Sequence, residues 1–170
     1  MPQYSRLTSI SYLMAPVQII VCHLGSLLVL LTGLSSGSII WMVWLYLIRM
    51  LATTGIYHRL LTHRAYRSPV LVLWIGSLVA ASAGQLGPSC WKAHHLVHHQ
   101  NTDQLLDPHS PYMPAQGRGG FYWSQVGWLL SRQLFPATLP LDVEKDPVLR
   151  GIDRLHFIPL IALGAFSYWM

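Results

Sequence analysis

Residues 17–57 read VQIIVCHLGSLLVLLTGLSSGSIIWMVWLYLIRMLATTGIY and contain two long apolar runs joined by a short polar segment. The first run, 17–34, has no formally charged residue, and the second, 39–57, contains only one, Arg49. A helix needs roughly 20 apolar residues to cross a hydrocarbon core of about 30 Å. The residues SSGS between the runs are typical of a tight turn. The sequence therefore predicts a transmembrane helical hairpin over residues 17–57.

The composition of the whole chain favours an integral membrane protein over a soluble domain. Of its 170 residues, 52% are hydrophobic and only 10% are charged, and the mean hydropathy is +0.40. No formally charged residue lies between Arg6 and Arg49, and no acidic residue precedes Asp103. The surface of a soluble protein needs charged residues throughout. We therefore predict an all-α, multi-pass membrane protein.

The charged residues are mostly basic and lie in the later part of the chain. The net charge is +5, and ten of the eleven lysines and arginines lie at or after Arg49. Basic loops mark the cytoplasmic side of a membrane protein, so the region after the hairpin is predicted to face the cytoplasm. The basic residues form no single patch or helix stripe, which argues against a nucleic-acid partner.

We interpret residues 1–170 as one domain with three parts. The hairpin, 17–57, is followed by a more polar histidine-rich region, 58–155, whose short helices and loops form a cytosolic cap. Within this cap, 146–154 (DPVLRGIDR) is predicted to be an amphipathic helix on the membrane surface. The apolar run FIPLIALGAFSYWM, 157–170, is too short to cross a bilayer. We expect it to be the truncated start of a third span, and the chain to be the N-terminal part of a longer protein.

Four histidines occupy six positions in WKAHHLVHHQNTD, residues 91–103. In an α-helix, His95, His98 and His99 have the spacing i, i+3 and i+4 and lie on one face. Three imidazoles on one face can converge on a metal ion. His94 lies about 40° outside this arc, so it is a weaker candidate ligand, and the alternatives are a residue that supports the ligands or a surface residue.

A second pair of histidines stands at the end of the hairpin, in HRLLTHR, residues 58–64. Five positions separate His58 from His63, which is about 140° around an α-helix. The two rings therefore cannot share a face of a continuous α-helix. They can converge if His58 lies in the last turn of the second span and His63 lies just beyond it.

Five or six histidines exceed the ligands of a single ion. A zinc site uses three or four protein ligands, so the histidines indicate two metal ions. The Glu-rich design of ferritin-like di-iron sites is excluded for the first part of the chain, because no carboxylate precedes Asp103. Imidazole binds iron, copper, zinc and nickel, so the ligand type does not choose the metal. A solvated or pH-sensing histidine cluster is the alternative.

A third apolar stretch, 69–87 (PVLVLWIGSLVAASAGQLG), separates the two histidine groups. If it crossed the membrane, the two groups would face opposite sides and could not form one site. Its many glycine, alanine and serine residues make it less hydrophobic than the first two runs. We therefore predict an interfacial or re-entrant helix that returns to the side from which it came.

Between about residues 40 and 155 the chain contains the motifs TTGIYHRLLTHRAY, WKAHHLVHH, NTDQLLDPHSP and GFYWSQVGWLL. Together they resemble the membrane fatty acid desaturase family of the stearoyl-CoA or acyl Δ9 type, with bacterial members most similar. HRLLTHR is similar to the HxxxxH box of that family, and HHLVHH contains its HxxHH box. The resemblance implies an O2-dependent di-iron enzyme of unsaturated fatty acid biosynthesis that introduces a cis double bond, at the Δ9 position, into a saturated acyl chain.

The resemblance also assigns roles to individual residues. It implies two iron ions whose ligands in this chain are His58, His63, His95, His98 and His99. Trp91 matches a tryptophan that lines the acyl tunnel in the family, and Gln85 is expected beside it. Asp107 and His109 match the family motif DPH, which implies that they support the iron ligands or have a structural role.

Three features depart from the family pattern. Leu96 stands where the second box usually has arginine, and Gln125 stands where histidine is frequent. The third histidine box of the family would lie beyond residue 170. The remaining iron ligands are therefore expected outside this sequence, and the isolated chain is expected to be inactive.

The resemblance implies several partners. These are a fatty acyl chain carried by CoA, acyl carrier protein or lipid, O2, an external electron donor of the ferredoxin or cytochrome b5 type, and the lipid membrane. The histidine boxes are expected to face the cytoplasm. Three alternatives stay open: a related histidine-box hydroxylase or ketolase, a membrane metal-binding protein without redox chemistry, and a non-catalytic truncated relative.

Overall fold

Helices make up all the regular structure in the part of the chain that the computed structural model describes, residues 6–112, 119–131 and 141–169. This confirms the predicted all-α fold for those residues. In chain order the helices are α1 (Arg6–Ser26), α2 (Val29–Thr32), α3 (Ser36–Ala52), π1 (Thr53–Thr62), α4 (Val70–Ala81), α5 (Pro88–Gln100), α6 (Gly120–Tyr122), π2 (Trp123–Gly127), α7 (Trp128–Leu130), α8 (Leu141–Lys145), α9 (Pro147–Arg154) and α10 (Phe157–Trp169). The π-helix π1 continues α3 directly, and α6, π2 and α7 are likewise continuous.

The predicted hairpin corresponds to two helical segments that are long and apolar enough to cross a membrane. They are Met14–Thr32, with 19 residues, and Ser36–Thr62, with 27 residues. Only 11% and 17% of their most apolar stretches are buried inside the protein. Leu31 and Leu51, for example, are 83% and 73% exposed. Apolar surface of this extent suits contact with lipid better than contact with water.

The connection between these two segments is shorter than the predicted turn. Gly33 ends α2 with a left-handed φ of +73°. The Ser35 hydroxyl accepts a hydrogen bond from the Ser38 N–H at 3.1 Å, and the Ser38 hydroxyl accepts one from the Ser35 N–H at 3.0 Å. This reciprocal cap satisfies N–H groups at the start of a helix. As a result α3 begins at Ser36, ahead of the apolar run.

The helices α4 and α10 are apolar but short, with 12 and 13 residues. At 1.5 Å per residue, α4 is about 18 Å long, which is less than a hydrocarbon core of about 30 Å. This length is compatible with the predicted interfacial or re-entrant helix. α4 packs tightly on π1, because a Cβ on Gly76 would lie 2.5 Å from Ile56 Cγ1. α10 covers the stretch predicted as the start of a further span.

A small core joins the end of the second long apolar segment to the helices that follow it. Its buried residues come from α3, π1, α4, α8 and α9 and are Ala52, Ile56, Tyr57, Leu61, Ala80, Ala81, Val143, Leu149 and Ile152. The apolar face of α9 is thus buried in protein, with Leu149 and Ile152 at 2% and 6% exposure. The amphipathic helix predicted for residues 146–154 is present as α9, and its apolar face packs on the protein core. Its position on the membrane surface stays a prediction.

Candidate metal centre

Four of the predicted ligand histidines meet at the junction of π1 and α5. One ligand nitrogen of each lies within 4.8 Å of the others, and these residues, here called the four-histidine cluster, are His58, His63, His95 and His99. The ring centroids of His58 and His95 are 4.6 Å apart, and those of His63 and His99 are 4.7 Å apart. The Nε2 atoms of His95 and His99 are 3.0 Å apart. The two histidine segments therefore face each other across one small volume.

The π-helical winding of π1 explains how His58 and His63 reach the same side. A π-helix joins residues i and i+5 by hydrogen bonds, so residues five apart lie nearly one above the other. The His63 N–H donates to the His58 carbonyl at 3.0 Å, and the two ring centroids are 4.6 Å apart. In an α-helix the same spacing would separate them by about 140°. His58 lies in the last turn and His63 directly follows Thr62, as the sequence required.

Three side-chain hydroxyls donate hydrogen bonds to backbone carbonyls of π1 and α4. Thr62 Oγ1 donates to the Tyr57 carbonyl at 2.8 Å, and the Tyr66 hydroxyl donates to the Gly55 carbonyl at 2.8 Å. The buried Tyr57 hydroxyl donates to the Ser77 carbonyl on α4 at 3.2 Å. π-helical turns are rare and occur frequently at functional sites. These bonds support the wide turn on which the first histidine pair depends.

α5 presents its histidines beside an aromatic neighbour that limits their movement. Pro88 occupies the first turn, where its missing N–H would have no helical partner in any case. The indole of Trp91 stacks on the His95 ring, with the centroids 4.5 Å apart and an interplanar angle of 29°. Trp91 Nε1 donates to Gln85 Oε1 at 3.0 Å. This bond holds the indole, and the indole in turn restricts the His95 ring.

The cluster histidines on α5 are neutral at physiological pH. Burial, reinforced by the neighbouring His58, lowers the pKa of His95 to about 3. Burial and the neighbouring His63 and His98 also lower the pKa of His99. Only the neutral form of an imidazole offers a nitrogen lone pair to a metal ion. His95 and His99 are therefore in the charge state that metal binding requires.

A second group of potential ligands lies at the end of α5 and consists of His98, Asp107 and His109, with ligand atoms within 4.8 Å of one another. His98 Nδ1 donates to the Asp107 carboxylate at 3.0 Å, and the His98 ring stacks on His109 at a centroid distance of 4.3 Å. The N–H groups of Asp103 and His109 also donate to Asp107. Burial raises the pKa of Asp107, but these hydrogen bonds outweigh it and bring the pKa below its usual value. An ionised Asp107 thus fixes the orientation of His98.

The structure divides the predicted site residues between these groups. Of the five predicted ligands, His98 alone lies outside the four-histidine cluster, with its ring centroid 5.6 Å from that of His99. Asp107 and His109 were predicted to support the ligands. Their own potential ligand atoms lie within 4.8 Å of that of His98. His94 belongs to neither group: its Nδ1 donates to a backbone carbonyl of α5 at 2.7 Å, and burial lowers its pKa to about 4.

A cavity of about 280 Å³ adjoins the four-histidine cluster. His95 lines it together with the two predicted tunnel residues, Trp91 and Gln85. Further lining residues come from α1, π2 and α7 and include Ala15, Ile19, Gln125 and Trp128. Sequence patterns did not reveal this second wall, because its helices are far apart in the chain and meet only after folding. The cavity is placed to hold part of an apolar ligand beside the histidines.

Comparison with known protein families supports one assignment. The family model described as fatty acid desaturase matches residues 37–170, a range that contains π1, α5 and every residue of both ligand groups. The chain belongs to the membrane fatty acid desaturase family. The resemblance predicted from the two histidine motifs is thereby confirmed.

Several curated desaturases are similar to most of this chain. The sn-1 stearoyl-lipid 9-desaturase of Anabaena variabilis is 32% identical over 117 residues, which cover 67% of this chain and 41% of that protein. The Delta-9 acyl-lipid desaturase 2 of Arabidopsis thaliana is 35% identical over 139 residues, covering 78% and 43%. The stearoyl-CoA desaturase 5 of Homo sapiens is 30% identical over 152 residues, covering 85% and 44%. The chain thus spans less than half the length of each of these desaturases.

Proposed function

We propose that this chain is part of a membrane desaturase that uses O2 and two iron ions to introduce a cis double bond into a saturated acyl chain. The observation that carries the proposal is the convergence of four histidines, from π1, the residue after it and α5, beside a cavity. A Δ9 position is supported by relatives whose names describe them as 9-desaturases acting on stearoyl or acyl lipids.

The residues present fit a metal ion. Bonds of roughly 2.0–2.1 Å, as between zinc and histidine nitrogen, place the nitrogens on one ion about 3 to 4 Å apart. The ligand atoms of the four-histidine cluster lie within 4.8 Å of one another, so small ring movements suffice, and imidazole suits iron. We assign one iron to this cluster. We assign the second to His98, whose Nδ1 bond to Asp107 leaves Nε2 as its ligand atom, with further ligands from parts of the protein outside this sequence.

The remaining roles fall to side chains that bind and orient the substrate. Iron, when bound, supplies the oxidising power to remove hydrogen from an unactivated methylene, which no side chain has. Trp91 and Gln85 form the cavity wall beside His95 and would keep the acyl chain close to the cluster. Burying an acyl chain in an apolar cavity away from water contributes about 0.8 kcal/mol of binding free energy for each CH2 group.

The position of the cluster at the C-terminal end of the second span suggests how the partners reach it. We infer that the acyl chain enters from the bilayer, while an electron donor of the ferredoxin or cytochrome b5 type approaches from the cytoplasm. The acyl carrier is CoA, acyl carrier protein or a lipid. The names of the relatives include both lipid-linked and CoA-linked substrates.

The proposal is tested by expressing the complete reading frame in a host without its own desaturase and analysing fatty acids by gas chromatography and mass spectrometry. We expect monounsaturated acyl chains whose formation depends on O2, and two irons per chain in the purified protein. Hydroxylated or oxo products in place of unsaturated ones would instead assign a hydroxylase or ketolase. Tight zinc binding without any oxygen-dependent product would contradict the proposal.

A further inference from the structure

One carboxylate contacts both histidine-bearing segments. Asp142 Oδ2, in α8, accepts a hydrogen bond from Arg64 Nη2 at 2.9 Å and another from Lys92 Nζ at 2.6 Å. Arg64 directly follows His63, and Lys92 lies on α5 three residues before His95. Asp142 therefore connects the end of the first histidine segment to the helix that carries the second.

The Lys92 pair contributes more to this connection than the Arg64 pair. The Lys92 side chain is only 5% exposed, whereas the Arg64 side chain is 72% exposed. An exposed ion pair contributes little to stability, but a buried ammonium group that loses its partner is strongly unfavourable. Burial raises the pKa of Asp142, but hydrogen bonds from Lys92 and Arg64 outweigh it and lower the pKa overall. The carboxylate is therefore ionised and held close to α5.

The Arg64 contact lies at a strained point of the backbone. Arg64 has a φ of +50°, a left-handed conformation that is uncommon for residues other than glycine. Such a conformation persists where the surrounding structure holds it in place. The backbone hydrogen bond from the Ala65 N–H to the Arg59 carbonyl, at 2.9 Å, is one such restraint. The exposed bond to Asp142 adds little stability, but it joins the residue next to His63 to the carboxylate that Lys92 holds against α5. Movement of this turn would carry the His63 ring with it.

From this geometry we propose that Asp142 is a positioning residue of the metal centre. Its carboxylate fixes the turn after His63 relative to α5 and so keeps the rings of the four-histidine cluster at the separation that a shared ion needs. The inference rests on the proposed function, because it concerns the same centre. It adds a residue that lies well after both histidine motifs in the sequence.

The test compares the variants Asp142→Asn and Asp146→Asn, each made in the complete protein and purified in detergent. Each protein is titrated anaerobically with Co²⁺, whose visible absorption reports histidine coordination. Asp146 is a matched control, because its carboxylate accepts hydrogen bonds from Trp74 Nε1 at 3.1 Å and from backbone N–H groups of α9. We expect Asp142→Asn to weaken Co²⁺ binding about tenfold, in the range seen when residues that orient ligands are removed. Asp146→Asn should lower thermal stability and leave the Co²⁺ affinity unchanged.

Two further variants separate positioning from folding. Asp142→Asn also destabilises the protein, because it leaves the Lys92 ammonium buried without an ionic partner. In the double variant Asp142→Asn/Lys92→Met the buried charge is gone, so we expect thermal stability to recover while Co²⁺ affinity stays low. Asp142→Glu keeps the carboxylate and should retain most of the affinity.

The wild-type titration distinguishes failure of this inference from failure of the proposed function. If the wild-type chain binds Co²⁺ and the double variant binds it equally well, Asp142 has no positioning role and the inference is overturned. If the wild-type chain itself binds no Co²⁺, the proposed function fails, and the role of Asp142 in the metal centre fails with it.

Discussion

Thr62 Oγ1 donates a hydrogen bond to the carbonyl of Tyr57, five residues earlier, at 2.8 Å. The side chain thus repeats the i to i+5 pattern of the π-helix that contains both residues. Thr62 and Tyr57 are both buried, so water does not compete for this bond. The wide turn that it supports is the reason why His58 and His63 face the same ion-sized space.

Replacing Thr62 by valine removes this hydroxyl while keeping the β-branched shape. We expect Thr62→Val to destabilise the protein by about 1 kcal/mol, the usual loss for one internal hydrogen bond. We also expect weaker Co²⁺ binding, because the turn then holds His58 and His63 less firmly. Thr62→Ser keeps the hydroxyl and serves as the control. Equal Co²⁺ affinities for the two variants would show that the hydroxyl does not hold the cluster.

The parts of the site that follow local spacing could be predicted from the sequence. The i, i+4 relation of His95 and His99 on α5 needed only helical periodicity. The convergence of His58 and His63 was harder to predict, because α-helical geometry keeps them apart and no sequence rule predicts a π-helix. The spacing predicted only that the two rings cannot converge on a continuous α-helix. In the structure they converge because the helix is wound as a π-helix.

The parts that depend on distant contacts could not be predicted. The amphipathic pattern of α9 shows an apolar face but does not tell whether lipid or protein covers it. Asp142 pairs with Arg64 and Lys92 across 78 and 50 positions of the chain, and one sequence offers no signal for such pairs. The cavity wall formed by α1, π2 and α7 was missed for the same reason.

His98 provides the sharpest test of the ligand set, because it lies outside the four-histidine cluster and is oriented by Asp107. We expect His98→Ala to abolish desaturation by the complete protein while leaving membrane insertion intact, because the proposed second iron would lose a ligand. Product analysis and recovery in the membrane fraction measure the two effects. His23→Ala is the control, since His23 Nδ1 donates to the Ile19 carbonyl within α1 at 2.7 Å. Activity retained in His98→Ala would remove His98 from the ligands.

The contact of Gly76 with Ile56 predicts a loss of stability on adding a single methyl group. A Cβ at position 76 would lie 2.5 Å from Ile56 Cγ1 and 2.8 Å from its Cδ1, so α4 and π1 would have to separate. Overpacking of this kind costs about 1–3 kcal/mol, and we expect Gly76→Ala to show it in thermal unfolding. The double variant Gly76→Ala/Ile56→Ala makes room for the methyl group. Its loss of unfolding free energy should be smaller than the sum of the losses in the two single variants. Losses that simply add would contradict this account.

Asp153 predicts an unusual dependence of stability on pH. Its Oδ1 atom accepts a hydrogen bond from the Ser89 N–H at 2.9 Å and so caps the helix that carries the second histidine box. The residue is only 6% exposed. Burial, which outweighs this hydrogen bond, raises the pKa of the carboxyl to about 6. In the unfolded chain an aspartate ionises near pH 3.9.

Because the folded state binds this proton more tightly than the unfolded state, the contribution of Asp153 to stability falls as the pH rises from about 4 to about 6. Above that range the protein carries the full cost of an ionised buried carboxylate. Asp153→Asn keeps an oxygen acceptor for Ser89 and removes the charge. We expect it to be more stable than wild type at pH 7.5 by on the order of 2 kcal/mol, with a difference that shrinks towards pH 4.5. Thermal unfolding of both proteins at each pH measures this difference. The titrating histidines contribute equally to both proteins, so their effect cancels. A difference in stability that does not change with pH would refute the argument.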